Sequence, residues 1–295
     1  ACMVRGFPPS ITRIARSLIR PTTVTSAPCD TPMLKHASSV MMNAGQRDTI
    51  AAENIDVGKF MKPVAILRFA PTEGPGYFAT YLSDHRIPWT LCAVDAGDAI
   101  PPASELSGLG MMGGPMSVND DLPWIPPVLA LVRSCADAGI PVIGHCLGGQ
   151  LMSRALGGVV TRNPVKEIGW HPVSVVAGSG GEDWFGAASF DAFHWHGETF
   201  SIPPGAKHLL GSDACANQAF ELGPSLGMQC HVEMTEELIR TWCNDWGREV
   251  AGLAARVRSV QTPDEMMRDL GARVGTLNAR AARAYERWCR GLPRD

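Results

Sequence analysis

Between residues 64 and 158, short apolar runs alternate with longer amphipathic stretches, and this alternation limits the available folds more than any other feature of the chain. VAILRF (64–69), WTLCAV (89–94), GLGMM (108–112) and PVIG (141–144) are too short for helices. Runs of this kind, bounded by Gly and Pro, read as strands buried on both faces. GPGYFATYLSDH (74–85), PWIPPVLALVRSCADAG (123–139) and GGQLMSRALGG (148–158) read as helices, with Gly139 and the pair Gly157-Gly158 as stop signals. Strands and helices alternating at this spacing predict βαβ units. The expected fold class is therefore α/β, a doubly wound, mostly parallel sheet with helices on both faces.

Residues 159–230 break the pattern. HPVSVV, KHLLGSD, QAFELG and LGMQC are short strand candidates separated by turns, which predicts antiparallel additions to the sheet edge or a small subsidiary sheet. From Thr235 the chain reads as helical. In TPDEMMRDL, Thr262 can cap a helix, Pro263 suits its first position and Glu265 completes a capping box. The remainder, to about Arg290, is amphipathic and rich in Ala and Arg. It reads as a surface helix that closes the fold or meets a partner.

Residues 1–60 look unlike the rest. Arg5, Arg13, Arg16 and Arg20 occur there with no acid before Cys29, and ITRIARSLIRP could form a short amphipathic helix. This composition belongs to transit peptides, or to a leader with no packed role. We expect 1–60 to lie outside the core and 61–295 to form one domain, with 235–295 as its C-terminal helices. Truncation at Met61 should then leave the core intact.

The totals narrow the function. A net charge of −3 gives no electrostatic reason to expect nucleic acid or an anionic membrane as partner. No apolar run approaches the ~18–20 residues that span a bilayer. The nine cysteines are scattered, with no C-x-x-C pair, which argues against a disulfide framework and a four-thiolate zinc site and suits a reducing, cytoplasmic setting.

One cysteine stands apart. Cys146, in IGHCLGGQLMS, follows a strand and precedes a helix, where α/β sheets bind ligands. Gly144 and Gly148 flank it, as a sharp strand–nucleophile–helix turn requires. The helix N-terminus would favour the thiolate, and the N–H of Leu147 would face an oxyanion built on a substrate attached to Cys146. Gly113 and Gly114, in MMGGPMSV, supply a second glycine-rich turn after a neighbouring strand. Its backbone N–H groups could approach a ligand, although the same residues suit a plain tight turn. A thiolate needs a base and the base an orienting carboxylate. Two H-x-E segments qualify: His196-Gly197-Glu198 and His231-Val232-Glu233. The second follows the strand candidate LGMQC, whereas the first lies in the more irregular, aromatic-rich stretch FHWHGETF, and that context favours the second. A metal site on His194 and His196, with His171 or Glu198, is possible on ligand type, but no recognised metal spacing supports it. We expect no metal and no cofactor, and Lys166, Glu167, Trp170 and His171 as residues that could line the pocket.

Together these pieces resemble the class I glutamine amidotransferase family. Its nucleophile pattern G-x-C-x-G-x-Q is matched by Gly144-His145-Cys146-Leu147-Gly148-Gly149-Gln150, and its oxyanion turn G-G-P by Gly113-Gly114-Pro115. Its base pattern G-x-Q-x-H-P-E is matched by Gly227-Met228-Gln229-Cys230-His231-Val232-Glu233, with Val in place of Pro. The order is the family's, and the resemblance spans about residues 63–245. It is closest to stand-alone proteins similar to the glutaminase domain of GMP synthase, which share a W-H-G-[DE] segment like Trp195–Glu198. The resemblance implies a flavodoxin-like fold and a Cys146–His231–Glu233 triad that cleaves the glutamine side-chain amide. It also implies oxyanion donors at Gly114 and Leu147, and substrate contacts at Gly113 and Gln150. Ammonia would pass to a separate synthetase subunit, since no G-x-x-x-x-G-K-[ST] segment is present. The alternatives are a γ-glutamyl peptidase or amidase using the same chemistry on another γ-glutamyl compound, and a regulatory binding protein on the same fold. Val232 changes the turn between His231 and Glu233 and puts their orientation in question. The roles of His194 and His196 stay open.

Overall fold

The computed structural model describes residues 61–293; the leader expected over 1–60 lies outside the described residues. The alternating region becomes β1 (Val64–Arg68), α1 (Gly76–Asp84), β2 (Trp89–Ala93), β3 (Gly108–Met111), α2 (Ile125–Asp137), β4 (Val142–His145) and α3 (Leu147–Ala155). The next segment supplies β5 (Val160–Val175), α4 (Gly181–Phe185), β6 (Ser189–Phe200), β7 (Lys207–Gly211), β8 (Ala219–Leu222) and β9 (Ser225–Met228). Three helices follow: α5 (Glu236–Ala254), α6 (Pro263–Met267) and α7 (Leu270–Cys289).

The nine strands of the described residues join one sheet, in the order β2-β1-β3-β4-β9-β8-β7-β5-β6. The first five are parallel. From β9 outward the pairing turns antiparallel, as the break in pattern after residue 158 predicts. Alternate residues of β1 feed two separate cores. Val64 and Ile66 pack with Phe78 and Leu82 of α1 and with Leu277 and Trp288 of α7. Ala65 and Leu67 pack with Val128 and Val132 of α2 and with Leu151 of α3. Helices thus cover both faces, which explains why Val64 to Leu67 of β1 are all apolar rather than alternating.

Two expectations need correction. FHWHGETF reads as irregular in the sequence, yet it lies within β6. HPVSVV reads as one short strand, yet it is the end of the sixteen-residue β5. The pairing of β5 with β6 shifts register between Arg162 and Glu167. That irregularity destroys the simple inside–outside alternation by which strands are recognised.

At the C-terminal end, Thr235 caps α5 by accepting from the Leu238 N–H, and Thr262 with Glu265 forms the expected capping box on α6. α7 closes the fold and goes deeper than a surface helix: Tyr285 and Trp288 are fully buried, and both rings pack on Phe78. Trp288→Ala should therefore cost about 3–5 kcal/mol, read as a lowered denaturant midpoint.

Candidate active site

The strand-to-helix turn after β4 holds Cys146 at φ 50°, ψ −106°. A side-chain-bearing residue in this region is strained, by roughly 1–3 kcal/mol. The surroundings impose the strain. The Cys146 N–H donates to the Met228 carbonyl at 2.9 Å, which ties the turn to the end of β9. A Cβ on Gly144 would lie 2.5 Å from the Gly148 backbone, and one on Gly148 or Gly149 would strike the carbonyls of Met111 or Met228. Three strand ends and the start of α3 thus meet with no room for side chains. Leu147 opens α3, so its N–H has no acceptor within the helix.

The other candidates converge on this turn. Gly114 sits against it: a Cβ there would lie 2.6 Å from the Leu147 side chain. His231 and Glu233 follow β9, with His231 Nδ1 2.7 Å from Glu233 Oε1. The contact forms with Val232, fully buried, between them. The His231 N–H donates to the Phe193 carbonyl of β6 at 2.8 Å, and its ring packs edge-on against Trp242 at 5.1 Å. Burial alone would push the imidazole pKa down. The Glu233 carboxylate and then Cys146 outweigh burial and hold it well above its ordinary value. Burial would likewise raise Glu233, but His145 and His231 hold it below the usual carboxylate range.

The structure also places residues that sequence reasoning passed over. Gln229 Nε2 lies 3.5 Å from Cys146 Sγ, oriented to donate to it. Gln150 Nε2 donates to Gln229 Oε1 at 3.1 Å, so Gln150 bears on the sulfur through a second amide. His145, buried beside Cys146, approaches Glu233 Oε2 at 3.9 Å and Tyr285 Oη at 3.1 Å. Gln229 and His145 stand inside the quoted motifs, so position could have found them. Glu73, in the turn before α1, had no motif to mark it: it is buried, and its carboxyl shares the space over Gly113 with the His231 ring.

His194 and His196 fall in one buried cluster, with Glu167 rather than His171 or Glu198 as the third group. His196 pairs across the strands with Glu167. The Glu167 carboxylate lies 3.1 Å from His196 Nε2 and 3.4 Å from His194 Nδ1. These three residues are the one metal-ligand-type cluster among the described residues, with ligand atoms within 4.8 Å of one another. The carboxylate is already well supplied with donors: Gln218 Nε2 gives to Oε2 at 2.7 Å and Ser212 Oγ to Oε1 at 2.8 Å. Burial opposes ionisation of Glu167, but the hydrogen bond from His196 and the charges of both histidines take its pKa to about 2. Burial takes His194 down to about 3. Glu198 instead accepts from Ser117 Oγ at 2.9 and 3.0 Å, bracing the segment after Gly113-Gly114. Glu167 and Trp170 are both buried, with Trp170 donating to the Met266 carbonyl; they belong to this packed layer and do not line an opening.

Residues 79–241 match the family described as Glutamine amidotransferase class-I. The glutamine amidotransferase-like protein YfeJ of Salmonella typhimurium is 29% identical over 199 residues, covering 64% of this chain and 83% of YfeJ. The glutamine-hydrolysing GMP synthase of Pseudomonas syringae is 34% identical over 139 residues, 43% of this chain; the match spans only 25% of the synthase. Among solved structures, a glutamine amidotransferase from Methylobacillus flagellatus is 45% identical with a TM-score of 0.78, covering 80% of this chain and 97% of that one. One from Thermotoga maritima, 23% identical, shares the fold with a TM-score of 0.69 over 77% of this chain and 97% of its own.

The buried titratable groups set the acid behaviour. His194 and His145 both have pKa values lowered by burial. On acidification from about pH 6.5 these two sites take up protons in the unfolded chain but not in the folded one, which lowers stability. Glu73, raised to about 7, and His231, raised well above its ordinary value, act in the opposite direction down to about pH 4.5. Glu167 acts in the same direction as His194 below its unfolded pKa near 4.5, and its contribution is lost as pH approaches 2. Below about pH 4.5 the Glu73 contribution is complete and Glu167 and His194 act together. Thermal melts should therefore show a falling midpoint between about pH 4.5 and 3; a flat midpoint there would contradict the assignment.

Proposed function

The chain belongs to the class I glutamine amidotransferase family, and we propose that it hydrolyses the side-chain carboxamide of glutamine through a γ-glutamyl thioester on Cys146. Members of this family are glutamine-hydrolysing enzymes. The observation that carries the finer reading is the strained Cys146 turn with the His231–Glu233 pair beside it.

In this mechanism Cys146 Sγ, as thiolate, attacks the γ-carbonyl carbon. The raised pKa of His231 favours the thiolate–imidazolium state that the attack needs. The helix N-terminus and the Gln229 amide also favour negative charge on sulfur. The oxyanion accepts from the N–H of Leu147 and of Gly114, and Gly113 leaves the approach open. As the carbon–nitrogen bond breaks, His231 passes its proton to nitrogen and ammonia leaves. Glu233 orients the ring and supports its charge. A water then attacks the thioester carbon, His231 takes its proton, and the carbon–sulfur bond breaks to give glutamate and thiolate. Gln150 positions Gln229 through its 3.1 Å hydrogen bond and would contribute to holding the substrate. The ammonia would pass to an acceptor reaction on a synthetase partner, a reading supported by the match to part of the glutamine-hydrolysing GMP synthase.

Ammonia release from glutamine by the purified protein tests this reading. Cys146→Ala and His231→Ala should each lower kcat/KM by on the order of a thousandfold or more, with melting midpoints showing that the fold persists. Cleavage of γ-glutamyl peptides without glutamine turnover would instead support a peptidase. Failure on both, with Cys146 unlabelled by a glutamine-mimicking electrophile, would refute the enzyme.

A further inference from the structure

Glu73 is a buried carboxyl, 8% exposed, that the triad chemistry does not use. Among the described residues its side chain makes no hydrogen bond and no ion pair, and its oxygens keep a small opening to solvent, so the carboxyl is available to a donor that enters the space it faces. Its place is fixed on both sides. Just before it, the Thr72 carbonyl accepts from Trp242 Nε1 at 3.0 Å. Just after it, the Tyr77 N–H donates to the Glu233 carbonyl at 2.8 Å, and Gly76 packs directly on that carbonyl. The turn that carries Glu73 is thus bound to the turn that carries the base.

The carboxyl faces the reacting groups. A Cβ built on Gly113 would lie 2.7 Å from Glu73 Oε2 and 3.1 Å from His231 Cε1. Carboxyl and imidazole therefore flank one small space over the oxyanion turn. His231 Nδ1 is engaged by Glu233, which leaves Nε2, bonded to that same Cε1, as the nitrogen that delivers a proton. A substrate nitrogen that receives this proton has to sit within hydrogen-bond reach of Nε2.

Resting on the reading of Cys146 and His231 given above, we propose that Glu73 forms the leaving-group subsite, its carboxylate accepting a hydrogen bond from the departing substrate nitrogen and so favouring amide nitrogen over leaving groups that lack N–H. When the carbon–nitrogen bond breaks, its electron pair goes to nitrogen and the proton comes from His231. Glu73 gains no proton; it holds the nitrogen in line. Burial, opposed by His231 and helped by Glu233, raises the empty-site pKa to about 7, and an N–H donor arriving at the carboxylate favours the ionised form. By microscopic reversibility the same subsite admits amine nucleophiles when the thioester is broken down.

The test compares wild type with Glu73→Gln and with Glu73→Asp, which retains the charge one methylene back. Two quantities are read: the ratio of kcat/KM for glutamine to that for γ-glutamyl methyl ester, and the partition of the thioester between hydroxylamine and water. The ester's departing oxygen carries no hydrogen until His231 supplies one. In the hydroxylamine reaction a carbon–nitrogen bond forms, the carbon–sulfur bond breaks, and the lost proton goes to His231. Glu73→Gln should lower the glutamine-to-ester ratio about tenfold, the scale of one charge-assisted hydrogen bond, and lower the hydroxamate fraction in parallel. Glu73→Asp should recover part of both. A fall in glutamine and ester turnover together, with an unchanged hydroxamate fraction, would reduce Glu73 to a structural residue and overturn the proposal; so would no change in either variant. If Glu73→Gln does not fold, Glu73→Asp decides alone, a lowered ratio supporting the subsite and an unchanged one refuting it. Wild type that turns over neither substrate, with Cys146 unlabelled, would refute the underlying glutaminase. Wild-type turnover with unaltered selectivity in the variants refutes only the subsite.

Discussion

The hydrogen bond from the Cys146 N–H to the Met228 carbonyl is the contact on which the rest of the site depends. It joins the turn after β4 to the end of β9, and the same two places carry the candidate nucleophile and, a few residues on, its base. The strained backbone at Cys146 would relax if its neighbours could move, but Gly144, Gly148 and Gly149 are packed against backbone atoms, which cannot rotate away as side chains can. Strain at the sulfur is thus held by close contact among strands that are themselves buried on both faces.

A second constraint is electrostatic. His145, His231 and Glu233 are almost wholly enclosed, and charge there is tolerable only as a matched set. Glu233 meets His231 on one oxygen and faces His145 on the other. Removing either histidine would leave a buried carboxylate undercompensated, so effects on stability and on chemistry are coupled at this point. The Glu167 cluster is a second matched set in the antiparallel strands, built from different residues by the same rule.

Much of the architecture was legible because the parallel half of the sheet obeys simple rules. Apolar runs mark β1, β3 and β4; Gly139 ends α2; and the Thr262–Glu265 pair marks α6 from sequence alone. The candidate site residues that the structure brings together share a local pattern, glycines at fixed offsets around Cys146 and a carboxylate two residues from His231, and so could be picked out in the sequence. What escaped had no local signature. The register shift in β5 and β6 erased their alternation. Glu73 meets His231 only because α1 folds back onto the turn after β9, a contact across more than half of the described chain. His196 and Glu167 become partners only through antiparallel pairing. The identity of the third group beside the two histidines is long-range information, and local reading chose His171 or Glu198 for that reason.

The Phe193–His231 bridge has a topological consequence. The antiparallel strands leave the parallel sheet at β9, run through β8, β7, β5 and β6, and return at His231, which follows β9 in the chain. The path of hydrogen bonds therefore closes on itself, as in a small barrel. An open sheet can slide or flex at its last strand at little cost, whereas a closed ring shares any displacement among all its members. The ring here includes the imidazole-bearing residue, so the stiffness of five strands is available to hold one side chain in place. The same closure occupies part of the outer edge of β6, where an open strand would otherwise invite pairing with another chain.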